Sequence, residues 1–285
     1  MTAARRATLW LGIATSSFGL SCGGGAPLLY PAHTLPPSSV SFAAGSSGRV
    51  TIGGLASAVD DLADAAAVHG GAVTSKERAA FVRGALARFA VAPGVAPFAA
   101  ARVGLGQHRE AGLSYLGRAM RLDGRHAFEW PSVALSVGLG GTGVLSRAGD
   151  KPARTVMGQD AGLRSVDVAS LSGYGFELPV VLGYRSSADV VLLWGGLRAG
   201  LERDEFDVVL VETPDEQLGT SGAATRYWAG GLVGFAIGLR PIQVRVEIDA
   251  AYESVHGDLL TSGGGQTANV AGLSLTPAMA ISAKF

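Results

Sequence analysis

Seven charged residues occupy alternate positions of segments that are otherwise predicted to be β-strands, a pattern that would suit ion pairing or the binding of a charged ligand. They are Arg102, Glu177, Arg198, Glu202, Arg245, Glu247 and Asp249. Residues two apart on a strand project from the same face, so these charges lie opposite an apolar face. Mixed charges facing a narrow interior predict a satisfied ion-pair network, because unpaired buried charge is costly. The more specific alternative is a selectivity constriction or a ligand site.

Catalysis and metal binding have weaker support in the sequence. Ser254, His256 and Asp258 are close in sequence, and a hydrolase would need such a nucleophile beside a base. The histidines show no paired spacing of metal ligands. The glycine motif at 138–143 has no helix after it and is interpreted as a chance match. The sequence therefore predicts no enzyme activity, no metal site and no cofactor.

A basic cluster surrounds one predicted turn. Its members are Arg118, Arg121, Asp123, Arg125 and His126. We expect a solvated turn whose arginines extend to a membrane interface. The functional alternative is a site for an anion or a lipid headgroup.

Two segments show the period of a half-apolar strand over an unusual length. From Ile242 to Tyr252 branched and aromatic residues alternate with charged ones, and from Asn269 to Phe285 apolar residues alternate with small polar ones. Alternation over more than about ten residues favours a strand with lipid on one side and a polar interior on the other.

The composition also favours a membrane protein. The 285 residues include 42 glycines, only 16% are charged, and the net charge is zero. Soluble domains carry about 25% charged residues. Beyond the amino terminus no apolar run is long enough for a spanning helix, and a bilayer otherwise accepts only closed barrels. Zero net charge, without a basic stripe, gives no support for nucleic-acid binding.

A chain that begins with an export signal and whose last alternating strand ends in Phe285 resembles the outer-membrane β-barrel proteins of Gram-negative bacteria. The resemblance implies an all-β fold, a transmembrane antiparallel up-and-down barrel surrounded by outer-membrane lipid. The implied function is a narrow, porin-like channel or transport-related envelope protein of unknown small solute. A structural or interaction protein of the envelope, without pore activity and with a protein partner, is the alternative. A soluble β-sandwich or lipocalin-like lipoprotein also stays open.

The amino terminus divides into two predicted segments before the barrel of 38–285. Residues 1–21 have the basic and apolar regions of a signal peptide. Cys22, the only cysteine, follows in a context that resembles a lipoprotein signal, which implies acylation at Cys22. Cleavage by the ordinary signal peptidase near Ser21 is the alternative. Residues 22–37, rich in Gly, Pro and Ser, are predicted to be a linker.

Residues 53–92 do not have a strand pattern. Apolar residues fall at helical spacing, and Thr74 to Glu77 matches a capping box. We expect a helical insert, an αα-hairpin packed at one barrel mouth. A plug or a docking site is the alternative.

The strand count follows from topology, since both termini of such a barrel lie on one side. About ten strands are predicted, with Val40–Ala44 in the first, a further strand within 141–172, and the insert on the outer side. The alternative has about eight strands, turns at Asp123–Gly124 and Gln107, and the insert on the periplasmic side. Segments 213–225 and 256–267 are predicted to be long polar loops.

Overall fold

The computed structural model describes residues 24–67, 75–145, 165–213, 216–239, 241–261 and 264–285. Cys22 and the predicted signal segment 1–21 lie outside the described residues. Ten strands follow one another along the chain: β1 (Val40–Ile52), β2 (Gly94–Gly106), β3 (Arg109–Tyr115), β4 (Ala119–Glu129), β5 (Val133–Leu145), β6 (Ser165–Arg185), β7 (Val191–Thr213), β8 (Glu216–Leu239), β9 (Ile242–Thr261) and β10 (Gly264–Lys284).

The strands form one closed ring. Each pairs antiparallel with its neighbours in sequence, and β1 pairs with β10, with Phe42 opposite Ala283 and Ile52 opposite Leu273. A closed ring leaves no unpaired strand edge, so the ladder hydrogen bonds are made within the barrel. The structure thus confirms an up-and-down barrel and, of the two predicted counts, ten strands.

The tenth strand arises at a different place from the predicted one. Between the predicted turns at Gln107 and Asp123–Gly124, the chain forms β3 and the start of β4, separated by a turn at 116–118. Gly117 has a φ of +82° in this turn, a conformation that glycine adopts without strain. The predicted turn at Asp123–Gly124 is wrong, because both residues lie inside β4. Within the described part of 141–172, the residues belong to β5 and β6 rather than to a further strand.

Two segments predicted as polar loops are largely strand. β8 already begins at Glu216, and β9 and β10 together include all the described residues of 256–267. Thr225 lies opposite His256 in the β8–β9 ladder. Ladder hydrogen bonds use the backbone, so polar side chains do not prevent pairing once both neighbouring strands are present. This is why the polarity of these segments misled the sequence prediction.

The two ends of the barrel differ. At the end where β1 begins and β10 ends, the terminal end, the fully described connections are the short turns 107–108, 130–132 and 186–190, and Pro241 lies in the turn between β8 and β9. The opposite end, the insert end, carries the helices between β1 and β2. The insert is therefore on the side opposite to the termini, as the ten-strand count predicts.

The outward face of the ring is apolar. Leu197 is 70% exposed and Ile281 is 61% exposed, while Ser274, Thr276 and Ser282 on the inner face of β10 are buried. The exposed apolar side chains, here called the apolar belt, include Phe42, Leu122, Phe128, Leu139, Phe176, Leu178, Leu182, Leu193, Leu197, Leu201, Val233, Phe235, Ile237, Ile248, Leu275, Met279 and Ile281. The predicted alternation of the last strand is confirmed.

The helical insert enters the barrel at the insert end. It consists of α1 (Gly54–Ala67), α2 (Ser75–Leu86) and a π-helical turn (Ala87–Val91). Neither described helix is long and apolar enough to cross a membrane. Its buried side chains form one cluster with inward-facing residues of the barrel: Leu55, Ala58, Phe81, Val82, Ala85, Leu86, Ala87, Phe89, Ala90, Val91, Leu171, Phe206, Ala224, Val255, Leu259, Ala268 and Val270.

The contact between α2 and β9 is especially close. Leu86 is fully buried, and a Cβ on Gly257 would lie 2.5 Å from Leu86 Cδ2. The Phe89 and Phe206 rings pack with their centroids 5.5 Å apart. The insert lies at one barrel mouth, as predicted, and its apolar side fills the interior there as a plug.

Replacing Leu86 by Ala should lower the free energy of unfolding by about 2–5 kcal/mol, because it removes fully buried methyl groups and leaves a cavity. Urea unfolding in detergent measures the change, and limited proteolysis should cleave the insert faster. Lys76→Ala, at an exposed position of α2, is the control and should change little. Equal effects of the two variants would contradict the plug packing.

Candidate functional site

The described residues of the predicted linker, 24–37, lie inside the barrel. The chain has no regular secondary structure there, yet Leu28, Leu29, Tyr30 and Ala32 are buried. The segment starts beside Thr276, half-way along β10, and leaves at the terminal end, where Ser38 N donates to Gly104 O. We call residues 24–37 the inner segment.

Carboxylates of the barrel wall accept hydrogen bonds from the backbone of the inner segment. Leu28 N and Leu29 N donate to Glu247 Oε1 and Oε2 at 2.7 and 2.9 Å. Thr34 N donates to Glu129 at 2.7 Å. Leu35 N donates to Glu110 at 2.9 Å. Such charge-assisted hydrogen bonds are stronger than those between neutral groups.

Arginines of the wall satisfy the carbonyl groups of the same segment. Arg198 donates to Ala26 O at 2.6 Å and Arg245 donates to Leu29 O at 2.9 Å. Arg125 donates to both Pro31 O and His33 O. Together with the carboxylates, these arginines satisfy a buried irregular backbone that makes few internal hydrogen bonds.

Near the terminal end, four charged side chains form one network. Arg102 donates to Glu110 and, at 2.6 Å, to Asp123, while Arg125 donates to Glu110 at 2.9 Å. The Tyr30 ring lies against the guanidinium groups of Arg102 and Arg125, with centroid distances of 4.1 and 4.4 Å. Cation–π contacts of this kind fix the inner segment against the wall.

A second network occupies the middle of the barrel. Arg198 pairs with Glu177 and, at 2.7 Å, with Asp249, and its guanidinium lies 4.5 Å from the Trp228 ring centroid. Arg121 Nη1 lies 3.2 Å from Glu177 Oε1. All these charged groups are buried, so removal of one partner would leave an uncompensated charge.

The third network lies below the helical plug. Arg226 pairs with Glu202 at 2.6 Å and with Glu253 at 3.0 Å, and Arg118 lies 3.3 Å from Glu202. Arg49 donates to Val91 O in the π-helical turn at 2.6 Å. The charged interior therefore continues up to the plug.

Small residues on β8 allow long side chains to meet across that strand. Trp194, Gly234 and Glu247 are register partners on β7, β8 and β9, and Trp194 Nε1 donates to Glu247 at 2.9 Å. A Cβ on Gly234 would lie 2.3 Å from the Trp194 ring. Gly234 thus lets an indole reach a carboxylate two strands away.

The structure places all seven sequence-predicted charged residues on the inward face, but divides them among these groups. Arg102 belongs to the terminal-end network, and Glu202 to the network below the plug. Arg198 lies in the middle with Glu177 and Asp249, whereas Arg245 and Glu247 bind the inner segment. Further buried charges that were not predicted from the sequence also face the interior, among them Arg49, Glu110, Arg121, Asp123, Arg125, Arg226 and Glu253.

The prediction of a solvated basic turn is wrong. Arg121, Asp123 and Arg125 are buried inward-facing residues of β4, and Arg118 lies at the turn before it, next to Glu202. The two-residue spacing of these charges could have indicated one face of a strand, because Leu122 and Gly124 occupy the positions between them and project from the other face. The charge of the segment had instead suggested solvent exposure.

The residues considered for catalysis do not form a triad. His256 contacts Ser254 Oγ at 3.1 Å and Asn269 Oδ1 at 2.8 Å on the exposed surface. Asp258 accepts a hydrogen bond from Thr267 at 2.8 Å rather than orienting the imidazole. Within the described ranges, no three His, Cys, Asp or Glu side chains are grouped to hold a metal ion.

Comparison with known proteins finds no matching family model and no matching curated protein. Solved structures of similar shape include Neisserial surface protein A, with 12% identity and a TM-score of 0.29, covering 87% of this chain and 96% of that one. They also include Ail of Yersinia pestis, with 11% identity and a TM-score of 0.27, covering 88% and 100%. A major outer membrane protein from Thermus thermophilus has 11% identity and a TM-score of 0.33, covering 86% and 99%.

Replacing Arg198 by Gln should lower the free energy of unfolding by about 3–5 kcal/mol, because Glu177 and Asp249 would lose their shared buried cation. Denaturant titration followed by tryptophan fluorescence measures the change. Arg203→Gln, at an exposed position of the same strand, is the matched control. If both substitutions have the same small effect, the middle network does not stabilise the barrel.

Proposed function

We propose that this protein is an integral β-barrel of the outer membrane of a Gram-negative bacterium, closed to solutes in the state described, with a structural or interaction role in the envelope. The observation that carries the proposal is the inversion of polarity across the wall. The apolar belt faces outward, while arginines and carboxylates are buried inside. A soluble sandwich or lipocalin-like protein would place apolar side chains inside, whereas a bilayer favours this arrangement.

The closed state is supported by what fills the interior. The inner segment lies along the half of the barrel towards the terminal end, and the helical plug fills the insert end. Between them, Arg198 pairs with Asp249 two strands away and Arg226 pairs with Glu253 on the adjacent strand. Arg118, in the turn between β3 and β4, reaches Glu202 on β7. A ten-stranded barrel has little room beyond its own side chains.

A narrow gated channel is the second candidate. One observation favours it: the inner segment has no helix or strand and is attached by side-chain contacts that could be exchanged for water. Its withdrawal would expose a continuous charged surface. Measurements of conductance separate this candidate from the first.

Acylation of Cys22 stays a proposal. Gly24 and Gly25 lie inside the barrel, where a Cβ on either would contact Ala96 or Thr276. The proposal of acylation rests on the resemblance of the sequence around Cys22 to a lipoprotein signal. The mass of the mature amino terminus, measured on protein from its membrane, tests acylation directly.

Replacing Leu197 by Arg should make the free energy of insertion into lipid vesicles less favourable by about 2–4 kcal/mol, because a charge would face hydrocarbon. Leu197 lies between Leu193 and Leu201 on the exposed row of β7. Heat-dependent gel migration and unfolding from vesicles measure the loss. Glu205→Arg, an exposed polar position beyond the apolar belt on β7, should be tolerated. A folded, water-soluble barrel that needs no detergent would contradict the membrane assignment.

The intact protein should show no steady conductance in planar bilayers. Glu247→Ala removes the acceptors of Leu28 N and Leu29 N, so brief openings should become more frequent if the inner segment closes the barrel. Glu205→Ala on the outer face is the control and should stay closed. Steady conductance of the unmodified protein would overturn the closed state and favour a constitutive channel.

A further inference from the structure

A cavity of about 460 Å³ lies inside the barrel at the terminal end. It is within the usual size range of small-molecule sites, about 300–1,000 Å³. Tyr30 and His33 of the inner segment line it on one side. Five basic residues of the wall also line it: Arg102, Arg125, Arg185, Arg245 and Lys284. Turn residues Asp189 and Pro241 border it too, so it opens at this end of the barrel.

Two of these arginines are neutralised by carboxylates. Arg102 pairs with Glu110 and Asp123, and Arg125 also pairs with Glu110. Another lining arginine, Arg185, lies 3.4 Å from Asp189. Glu110 and Asp189, the two acidic side chains that line the cavity, therefore already form ion pairs with these arginines.

Arg245 differs from them. It is 3% exposed, and its Nη1 donates to the carbonyl of Leu29, but its buried Nε has no hydrogen-bond partner among the described residues. The nearest carboxylate along its strand, Glu247, already accepts from Leu28 N, Leu29 N and Trp194 Nε1. No carboxylate in the described part of the chain forms an ion pair with Arg245.

Lys284 adds a second positive charge on the same cavity. It is partly buried and is repelled by Arg245, while Asp189 and Glu110 attract it more weakly. Within the described residues its ammonium group has no ion-pair partner within 4 Å. Two like charges brought together in a partly dry space are costly unless an anion lies between them.

His33 supplies a neutral polar group at the cavity. Both ring nitrogens are buried and have no hydrogen-bond partner in the described structure. Burial, followed by repulsion from Arg185, lowers the pKa of His33, so the ring is neutral near pH 7. A neutral imidazole offers one N–H donor and one acceptor.

We propose that this cavity binds a small soluble oxyanion, a carboxylate or phosphate, between Arg245 and Lys284, with His33 as an additional hydrogen-bonding group. The guanidinium fork of Arg245 suits two oxygens of such an anion, and Lys284 acts as a point charge. The ligand would enter from the terminal end. The site does not depend on membrane insertion or on channel activity.

Thermal unfolding of the full chain in an uncharged detergent tests this proposal, with phosphate or succinate compared with chloride at equal ionic strength and pH. Either oxyanion should raise Tm, and calorimetric titration should show saturable binding. Arg245→Gln and Lys284→Gln should each weaken binding at least about tenfold, the expected loss for one charged hydrogen bond. Arg83→Gln, an exposed cation on α2, should bind like the unmodified protein.

The variants also distinguish a specific site from a general salt effect. Arg245→Gln also removes the hydrogen bond to Leu29 O, so Tm in chloride is measured for each variant. Lys284→Gln breaks no ion pair of the described residues and should keep the Tm of the unmodified protein in chloride, so its loss of binding cannot be attributed to unfolding. An equal rise in Tm for all variants, or no rise for the unmodified protein, would overturn the proposal. Stabilisation by phosphatidic acid in the micelles but not by phosphate would also overturn it, in favour of a lipid headgroup.

Discussion

The need to satisfy a buried, irregular backbone governs the interior of this barrel. The inner segment has no ladder or helix to receive its N–H and C=O groups, so charged side chains of the wall do so. Glu247, Glu110 and Glu129 accept from N–H groups, while Arg198, Arg245 and Arg125 donate to carbonyls. An apolar interior of the same width would leave these groups unsatisfied at several kcal/mol each.

That constraint links the fold to the proposed role. Some of the charges that bind the inner segment also form ion pairs, such as Arg125 with Glu110 and Arg198 with Asp249, so buried polar groups extend from the terminal end to the plug. A lipid exterior accepts this arrangement because the closed ring hides the polar side from hydrocarbon. Opening a path would require new partners for Glu247 and Arg198, and water or a solute must then supply them.

Period-two alternation made most of the fold predictable. It predicted the outer faces of β9 and β10, and it placed the seven charged residues named from the sequence on the opposite, inward face. A separate signal, the helical spacing of 53–92, predicted the insert. The prediction was wrong where local polarity was taken as solvent exposure. Arg121, Asp123 and Arg125 belong to a buried strand, and the polar residues near Thr225 and His256 extend the strands. In both cases ladder pairing with neighbouring strands outweighed side-chain polarity.

The role of the inner segment could not be predicted from its composition. Gly, Pro and Ser indicate a chain without regular structure, and that much is correct for 24–37. Whether such a chain lies in solvent or inside the ring depends on acceptors contributed by residues far along the sequence, such as Glu129 and Glu247. Sequence alone gives no distance between them.

Which face of each strand is apolar can be read from the sequence alone, because side chains two residues apart on a strand share a face. Only the closed ring decided which charges meet. Trp194 reaches Glu247, and Arg198 reaches Asp249, across the small residues of β8, and this depends on the register of three strands. The same register left Arg245 beside a cavity, with no ion-pair partner among the described residues. The positions of inward charges along the barrel axis decide which of them pair, and the sequence does not specify those positions.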